Sequence, residues 1–188
     1  RSMALADTPK AEALHQLAGV LATAAANSRC SHAVWTTGEG FKRVPNDTQP
    51  PSAWGEIDLD SAMPFEEAFA LLPPRLRRQG IRVVISDLFW PGDPLPTLRK
   101  LTEGAAAVHV IQLLAEPDLT PPEPGNVELI DHETGESLSI YVDVSIQDQY
   151  RQTLKRLQQS WHDAAKQTGA NLVTLRAENL EDTLHRLE

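Results

Sequence analysis

The sequence is poor in several residues on which common kinds of protein depend. Its single cysteine, Cys30, excludes an internal disulfide and indicates a reducing compartment. A short strand is expected from Cys30 to Thr37, with Cys30 as a small buried residue. Aromatic residues make up 5% of the chain, and no apolar run approaches the roughly 18 residues of a membrane-spanning helix. The composition predicts a globular domain without a membrane span in this segment.

Positive charge is also scarce. The chain has 17 lysines and arginines against 26 acidic residues, which gives a formal charge of −9. Such a protein repels nucleic acid unless its basic residues are gathered on one face. The one dense basic stretch, residues 73–82, is interpreted as the solvated end of a helix. We therefore predict that nucleic acid is not a partner.

Motifs for common enzyme chemistry are missing as well. The sequence contains no GxxxxGK[ST], GxGxxG or GxSxG pattern, so a phosphate loop and a nucleophile elbow are absent. Its six histidines never fall at HxH, HxxxH or HExxH spacing, so a zinc site has no local support. The sequence thus offers almost no motif that would support enzymatic chemistry, and we predict that the protein is not an enzyme.

Buried strands and helical segments alternate along the chain. Three apolar runs predict strands that are covered on both faces, namely residues 81–86, 106–114 and 170–176. The helical patterns between them are typical of a parallel sheet wrapped by helices. We therefore predict an α/β, doubly wound fold with a mostly parallel sheet and a late β-hairpin that turns at Thr134-Gly135.

Cap and turn residues predict where several helices begin and end. Thr8-Pro9 indicates the start of a first helix. Ser145 and Gly169 indicate the two ends of the longest helix. A further helix is expected to begin at Pro64, to be broken or kinked at Pro73-Pro74 and to stop at Gly80.

The end of the first apolar strand carries the most informative residue, Asp87. The carboxyl ends of parallel strands are where ligands and metals are held, so this acid is a candidate ligand for Mg²⁺ or a phosphorylated molecule. The alternative is that Asp87, helped by Ser86, opens the following turn. An aspartyl nucleophile of the haloacid dehalogenase kind is disfavoured, because the position two residues on holds Phe89 and not a second acid.

Two aromatic residues, Phe89 and Trp90, follow in a loop rich in proline and glycine. Aromatic side chains on a loop beside a site can anchor a protein partner. They can equally fold back as a lid over the core. The first interpretation makes Phe89 and Trp90 candidate partner-binding residues, and the sequence leaves both open.

Three stretches together resemble a known bacterial family. They are "RSMAL", "RVVISDLFWPGDPLPTLRKL" and "YVDVSIQDQYRQTLKRLQQSWHDAAKQTGANLVTL". The family is the domain of unknown function numbered fifty-eight, and the resemblance covers essentially the whole chain. It implies that residues 1–188 form a single von Willebrand factor A-like domain. It also implies that this domain is the C-terminal part of a longer protein, whose first central strand precedes Arg1.

The same resemblance implies an adhesion-type metal site that begins with a D-x-S-x-S-M motif. Arg1-Ser2-Met3 matches the tail of that motif, and Asp87 matches the acid at the end of the fourth strand. Ser2 and Asp87 would then hold Mg²⁺ or Mn²⁺, and a carboxylate of the partner would complete the coordination. Such domains usually supply a threonine between the two, whereas residues 56–67 offer two aspartates and a serine. An altered metal site and a lost one are both open.

The leading hypothesis is a non-enzymatic, cation-dependent protein-interaction domain. The resemblance implies a cytoplasmic partner of a MoxR-type AAA+ ATPase in the assembly or activation of other proteins, with any membrane tether in segments outside this chain. The first alternative is a Mg²⁺-dependent phosphohydrolase that uses Asp87 with Asp58 or Asp60. The second is a scaffold domain without a site.

Overall fold

The structure is a computed structural model that describes residues 9–55, 57, 59, 63–90, 92–130 and 137–180. The helices are α1 (Lys10–Asn27), α2 (Phe65–Leu71), α3 (Pro94–Thr102), α4 (Glu116–Leu119) and α5 (Val144–Thr168). The strands are β1 (Trp35–Gly38), β2 (Gly40–Arg43), β3 (Ile81–Ser86), β4 (Ala107–Leu114), β5 (Gly125–Ile130), β6 (Ser137–Val142) and β7 (Asn171–Arg176). Short 3₁₀ turns cover Pro51–Ala53 and Ala177–Asn179.

A three-stranded parallel sheet in the order β3-β4-β7 forms the centre of the molecule. Strands β1 and β2 form a separate antiparallel hairpin, and β5 and β6 form another. The prediction of an α/β fold with a parallel sheet and a late hairpin is confirmed in this coarse form. The turn predicted at Thr134-Gly135 lies outside the described residues.

Helices pack on both faces of the parallel sheet. On one face, Leu98 of α3 and Trp161 of α5 share an apolar cluster with Val110 of β4. On the other, Leu17 of α1 shares a cluster with Leu113 of the same strand. Successive residues of a strand point to opposite faces, so the continuous apolar run of β4 serves both layers.

The face that α1 covers is not covered along its whole length. Ile81 and Val83 of β3 are 70% and 39% exposed, and Val173 of β7 is 47% exposed. The expectation of coverage on both faces is therefore wrong for the first half of 81–86 and for 170–176, since every residue of β7 is exposed or half-buried. Helix α1 packs instead with Ile85 and Ile111, nearer the carboxyl ends of the strands.

Cys30 is exposed, and the strand expected to start there begins only at Trp35. Its backbone ends helix α1 instead, because the Cys30 N–H donates to the Ala25 carbonyl at 2.8 Å. The preceding residue, Arg29, has the left-handed φ of 55° that this Schellman-type ending requires. The prediction of a buried Cys30 was wrong because the backbone conformation is set by the helix terminus.

Two other element ends differ from the predictions. Asp143, and not Ser145, caps α5 by accepting a hydrogen bond from the Ile146 N–H at 2.9 Å. Gly169 ends this helix with a left-handed φ of 74°, as predicted. Helix α2 ends at Leu71, so the chain is broken and not kinked at Pro73-Pro74, and the predicted continuation to Gly80 is wrong; the two prolines lack an N–H and disfavour helix in the residue before them.

Candidate functional site

Asp87 lies immediately after β3, at the carboxyl edge of the parallel sheet, and is only 2% exposed. Its Oδ1 accepts a hydrogen bond from the Phe89 N–H at 3.3 Å, and Ser86 Oγ accepts one from the Leu88 N–H at 3.1 Å. Both side chains thus open the following turn, as the second interpretation of Asp87 predicted. The turn accounts for only one of the two carboxylate oxygens.

The other oxygen of Asp87 faces a buried lysine. Lys10 is 0% exposed, and its Nζ lies 3.5 Å from Asp87 Oδ2. The same Nζ lies 3.0 and 3.1 Å from the two carboxylate oxygens of Asp118. We call Lys10, Asp87 and Asp118 the lysine–carboxylate cluster.

Each member of this cluster is held by a different element. Lys10 is the first residue of α1, and Pro9 is its N-cap residue, one position later than the Thr8-Pro9 pattern predicted; Thr8 lies outside the described residues. Asp118 lies in α4, directly after β4, where its Oδ2 also accepts the Ala115 N–H at 2.8 Å. Because β3 and β4 are parallel, the two acids that follow them reach the same edge of the sheet.

Tyr150 links the cluster to α5, which packs on the face of the sheet opposite α1. Its hydroxyl donates a hydrogen bond to the Asp118 carbonyl oxygen at 2.9 Å. Burial raises the pKa of Tyr150, and the negative charge of Asp118 raises it further. Tyr150 is therefore a neutral hydrogen-bond donor at physiological pH.

A series of buried side-chain hydrogen bonds centred on Gln112 also links the strands near this edge. Gln112 of β4 is 2% exposed, and its Nε2 donates to the Asp87 carbonyl oxygen at 3.1 Å. Its Oε1 accepts from Thr174 Oγ1 of β7 at 2.9 Å. One buried amide thus connects all three strands and fixes the backbone where β3 ends.

Leu88 anchors the loop after β3 in the core. It is completely buried with a left-handed φ of 62°, and its carbonyl oxygen accepts a hydrogen bond from Trp161 Nε1 at 3.2 Å. This conformation is uncommon for a residue with a branched side chain, so the hydrogen bond and the burial together hold it.

The candidate partner residues occupy two different environments. Phe89 is half-buried, with its ring centroid 5.9 Å from Lys10 Nζ. Trp90 is also half-buried and stacks on Phe65 at 4.8 Å, with its edge against Trp161 at 5.1 Å. Trp90 thus folds back onto the core and lines a cavity of about 190 Å³ beside Glu66. Their role in partner binding stays a prediction.

The other candidate residues lie outside the described part of the chain. Ser2, which was predicted to hold a metal with Asp87, and Asp58 and Asp60 of the phosphohydrolase alternative all fall there. Among the described residues, no group of three or more histidine, cysteine, aspartate or glutamate side chains could hold a metal ion. Within the described ranges, the fold brings Asp118 toward Asp87, and both contact Lys10.

The described residues at Asp87 do not fit a divalent cation. The positive charge of Lys10 is already beside the carboxylate oxygen that a metal would use, and Asp87 Oδ1 already accepts a backbone N–H. A second cation there would be repelled by the ammonium group in a poorly solvated site.

Sequence reasoning found Asp87 and missed its two partners. Lys10 starts an α1 face that continues as Leu14, Leu17 and Leu21, so a charged residue at this helical spacing was an available signal for a buried lysine. Asp118 follows a predicted strand closely, as Asp87 does, and the same edge argument applied to β4 would have placed it near the site.

The fold and site define a mixed α/β domain whose parallel sheet carries a buried lysine–carboxylate cluster at its carboxyl edge. The model of the family described as Protein of unknown function DUF58 matches residues 2–160, and the chain belongs to this family. Searches among curated proteins and among solved structures found no match. Within the described residues, no helix is both long enough and apolar enough to cross a membrane.

Proposed function

We propose that this chain is a non-enzymatic protein-interaction domain with a von Willebrand factor A-like fold, which acts with a MoxR-type AAA+ ATPase in assembling or activating other proteins. The resemblance of the sequence supplies the partner class. Membership of a family of unknown function is compatible with this role and does not select it.

The observation that carries the non-enzymatic part is the pairing of the acids at the carboxyl edge of the sheet. This edge is where α/β domains hold ligands and reacting groups. Here the carboxylates of Asp87 and Asp118 are both taken up by Lys10 and by backbone N–H groups. Each oxygen of these acids already has an ionic or hydrogen-bonding partner that nucleophilic attack or proton transfer would disturb, so the acids favour a structural role beneath a recognition loop.

The loop after β3 is the surface that we assign to the partner. Leu88 and Trp161 anchor it, and Phe89 follows at the edge, half-buried. A fixed aromatic side chain loses little conformational entropy on binding, which suits a residue at the centre of an interface.

The test is direct binding of the purified chain to a purified MoxR-type ATPase, with ATP and with ADP, measured by biolayer interferometry. We expect saturable binding that weakens about tenfold or more in Phe89→Ala. Tyr141→Ala is the matched control, because Tyr141 is an aromatic residue 66% exposed on the separate β5–β6 hairpin. Equal effects of the two substitutions would contradict the assignment of the loop, and absence of binding under both nucleotides would contradict the partner class.

A further inference from the structure

We infer that the ammonium group of Lys10 is the resident cation at the carboxyl edge of the sheet, so that the lysine–carboxylate cluster stands where a metal ion would otherwise be needed. This inference goes beyond the interaction role and does not depend on the identity of the partner. It follows from the donors and acceptors of three buried side chains.

The three N–H donors of Lys10 Nζ and all four carboxylate oxygens of Asp87 and Asp118 have partners. An ammonium group has three donors, and Lys10 Nζ has three carboxylate oxygens as partners, at 3.5 Å in Asp87 and at 3.0 and 3.1 Å in Asp118. The remaining oxygen, Asp87 Oδ1, accepts the Phe89 N–H. Every carboxylate oxygen of the cluster therefore has a partner, and a divalent ion that used any of them would have to displace the ammonium group of Lys10 or lie beside its positive charge.

The position of the ammonium group is fixed by the fold. Lys10 begins α1, whose Ala13 and Leu17 are buried against the sheet with Ile111 and Leu113. A lysine held at both ends of its side chain is preorganised, whereas a metal ion would have to displace it from a site that is 0% exposed at Lys10 and 2% exposed at Asp87. Removal of the ammonium would leave two buried carboxylates without a countercharge, which is the situation that attracts a divalent cation.

The experiment is titration of the purified chain with MgCl₂ and with MnCl₂, followed by isothermal calorimetry and by the midpoint of thermal unfolding. The wild type is expected to give no saturable heat and no shift of the midpoint. Lys10→Met has a similar volume and no charge, and its midpoint is expected to rise by at least about 3 °C at millimolar metal through binding to the native state. Lys42→Met is the control, since Lys42 is exposed on β2.

Saturable binding by the wild type that is lost in Asp87→Asn would overturn the inference and restore a metal site at this edge. A folded Lys10→Met whose midpoint equals that of the wild type without metal would also overturn it, because the ammonium would then not be compensating buried charge. Saturable binding by the wild type that is lost in Asp87→Asn would overturn the inference even where Lys10→Met does not fold. Failure to find a protein partner would leave these outcomes unchanged, so the two proposals fail separately.

Discussion

Two charged clusters in this chain differ in burial and in sequence separation. Lys10 is fully buried and pairs with Asp87 and Asp118, which are 77 and 108 residues away. Arg43 pairs with Asp47, four residues away, and its side chain is 51% exposed. The first cluster joins separate elements of the sheet, whereas the second closes a local turn beside the β1–β2 hairpin.

In the local cluster of Arg43 and Asp47, the negative charge of Asp47 is stabilised by hydrogen bonds, while Arg43 stays half exposed to solvent. Arg43 donates two parallel hydrogen bonds of 2.9 Å to the carboxylate of Asp47, and the Val34 N–H donates a third at 2.8 Å. Burial alone would raise the pKa of Asp47, but these hydrogen bonds outweigh it and hold the pKa below its ordinary value. At the sheet edge Lys10 is fully buried, so its ammonium group and the N–H groups of Phe89 and Ala115 compensate the two carboxylates with little help from solvent.

The largest effect in this comparison is expected from Lys10→Met. Removing one partner of a buried ion pair leaves uncompensated charge, and the free energy of unfolding should fall by about 3–5 kcal/mol. Urea unfolding measures it, with Lys42→Met as the exposed control, for which a change within about 0.5 kcal/mol is expected. A loss of unfolding free energy for Lys10→Met no larger than for Lys42→Met would show that the buried ion pairs of Lys10 do not stabilise the fold.

Asp47→Ala should have the next largest effect. It removes three hydrogen bonds and leaves the Val34 N–H without its carboxylate acceptor, so unfolding should require about 1–3 kcal/mol less free energy. Asp148→Ala is the matched control, because Asp148 pairs with Arg151 on the exposed surface of α5. Equal effects of Asp47→Ala and Asp148→Ala in urea unfolding would contradict the claim that the hydrogen-bonded Asp47 contributes more to stability than an exposed ion pair.

The pH dependence of the local cluster is expected to be smaller. The pKa of Asp47 is lowered from 3.8 in the folded state, so its carboxylate stabilises the protein above that value. This contribution is lost as the pH falls below 3.8 and through the lower pKa of the folded state. The reason is that Asp47 has the higher pKa in the unfolded chain, so acid protonates the unfolded chain first and favours it. The stability difference between wild type and Asp47→Ala should narrow as the pH falls below 3.8 in acid titrations of unfolding, and a constant difference would contradict it.

The smallest effect is expected from Arg43→Lys. Lysine keeps the positive charge but loses the planar two-bond contact with Asp47, and half of the arginine side chain is already solvated. We expect a loss of stability in urea unfolding that is clearly smaller than that of Asp47→Ala. A loss as large as that of Asp47→Ala would mean that the arginine geometry dominates the local cluster.

The same contrast explains how much of the fold the sequence could predict. The apolar runs of β3, β4 and β7 were placed closely, because apolar and β-branched residues mark strands even where, as at Val83 and Val173, one face is exposed. The glycine that ends α5 was placed because its left-handed backbone favours glycine. Cys30 was misplaced because the ending of α1 is formed by Arg29, which is not a residue that usually signals a left-handed turn.

Of the candidate site, local pattern could predict the position of Asp87 and its turn, since both depend on the residues next to it. It could not predict the pairing with Lys10, because that contact depends on which helix the sheet receives at its edge. Separations of 77 and 108 residues leave no periodicity to detect. A polar residue on an otherwise apolar helix face was the only local trace.

A double-mutant cycle between Lys10 and Asp87 tests the central claim most directly. The free energy of unfolding would be measured in urea for the wild type, Lys10→Met, Asp87→Asn and the double variant. If Lys10 is the countercharge of Asp87, neutralising the acid should relieve part of the damage, with a coupling of about 1.5 kcal/mol or more. A coupling below about 0.5 kcal/mol, as for independent sites, would contradict the account of this edge as a lysine-compensated cluster.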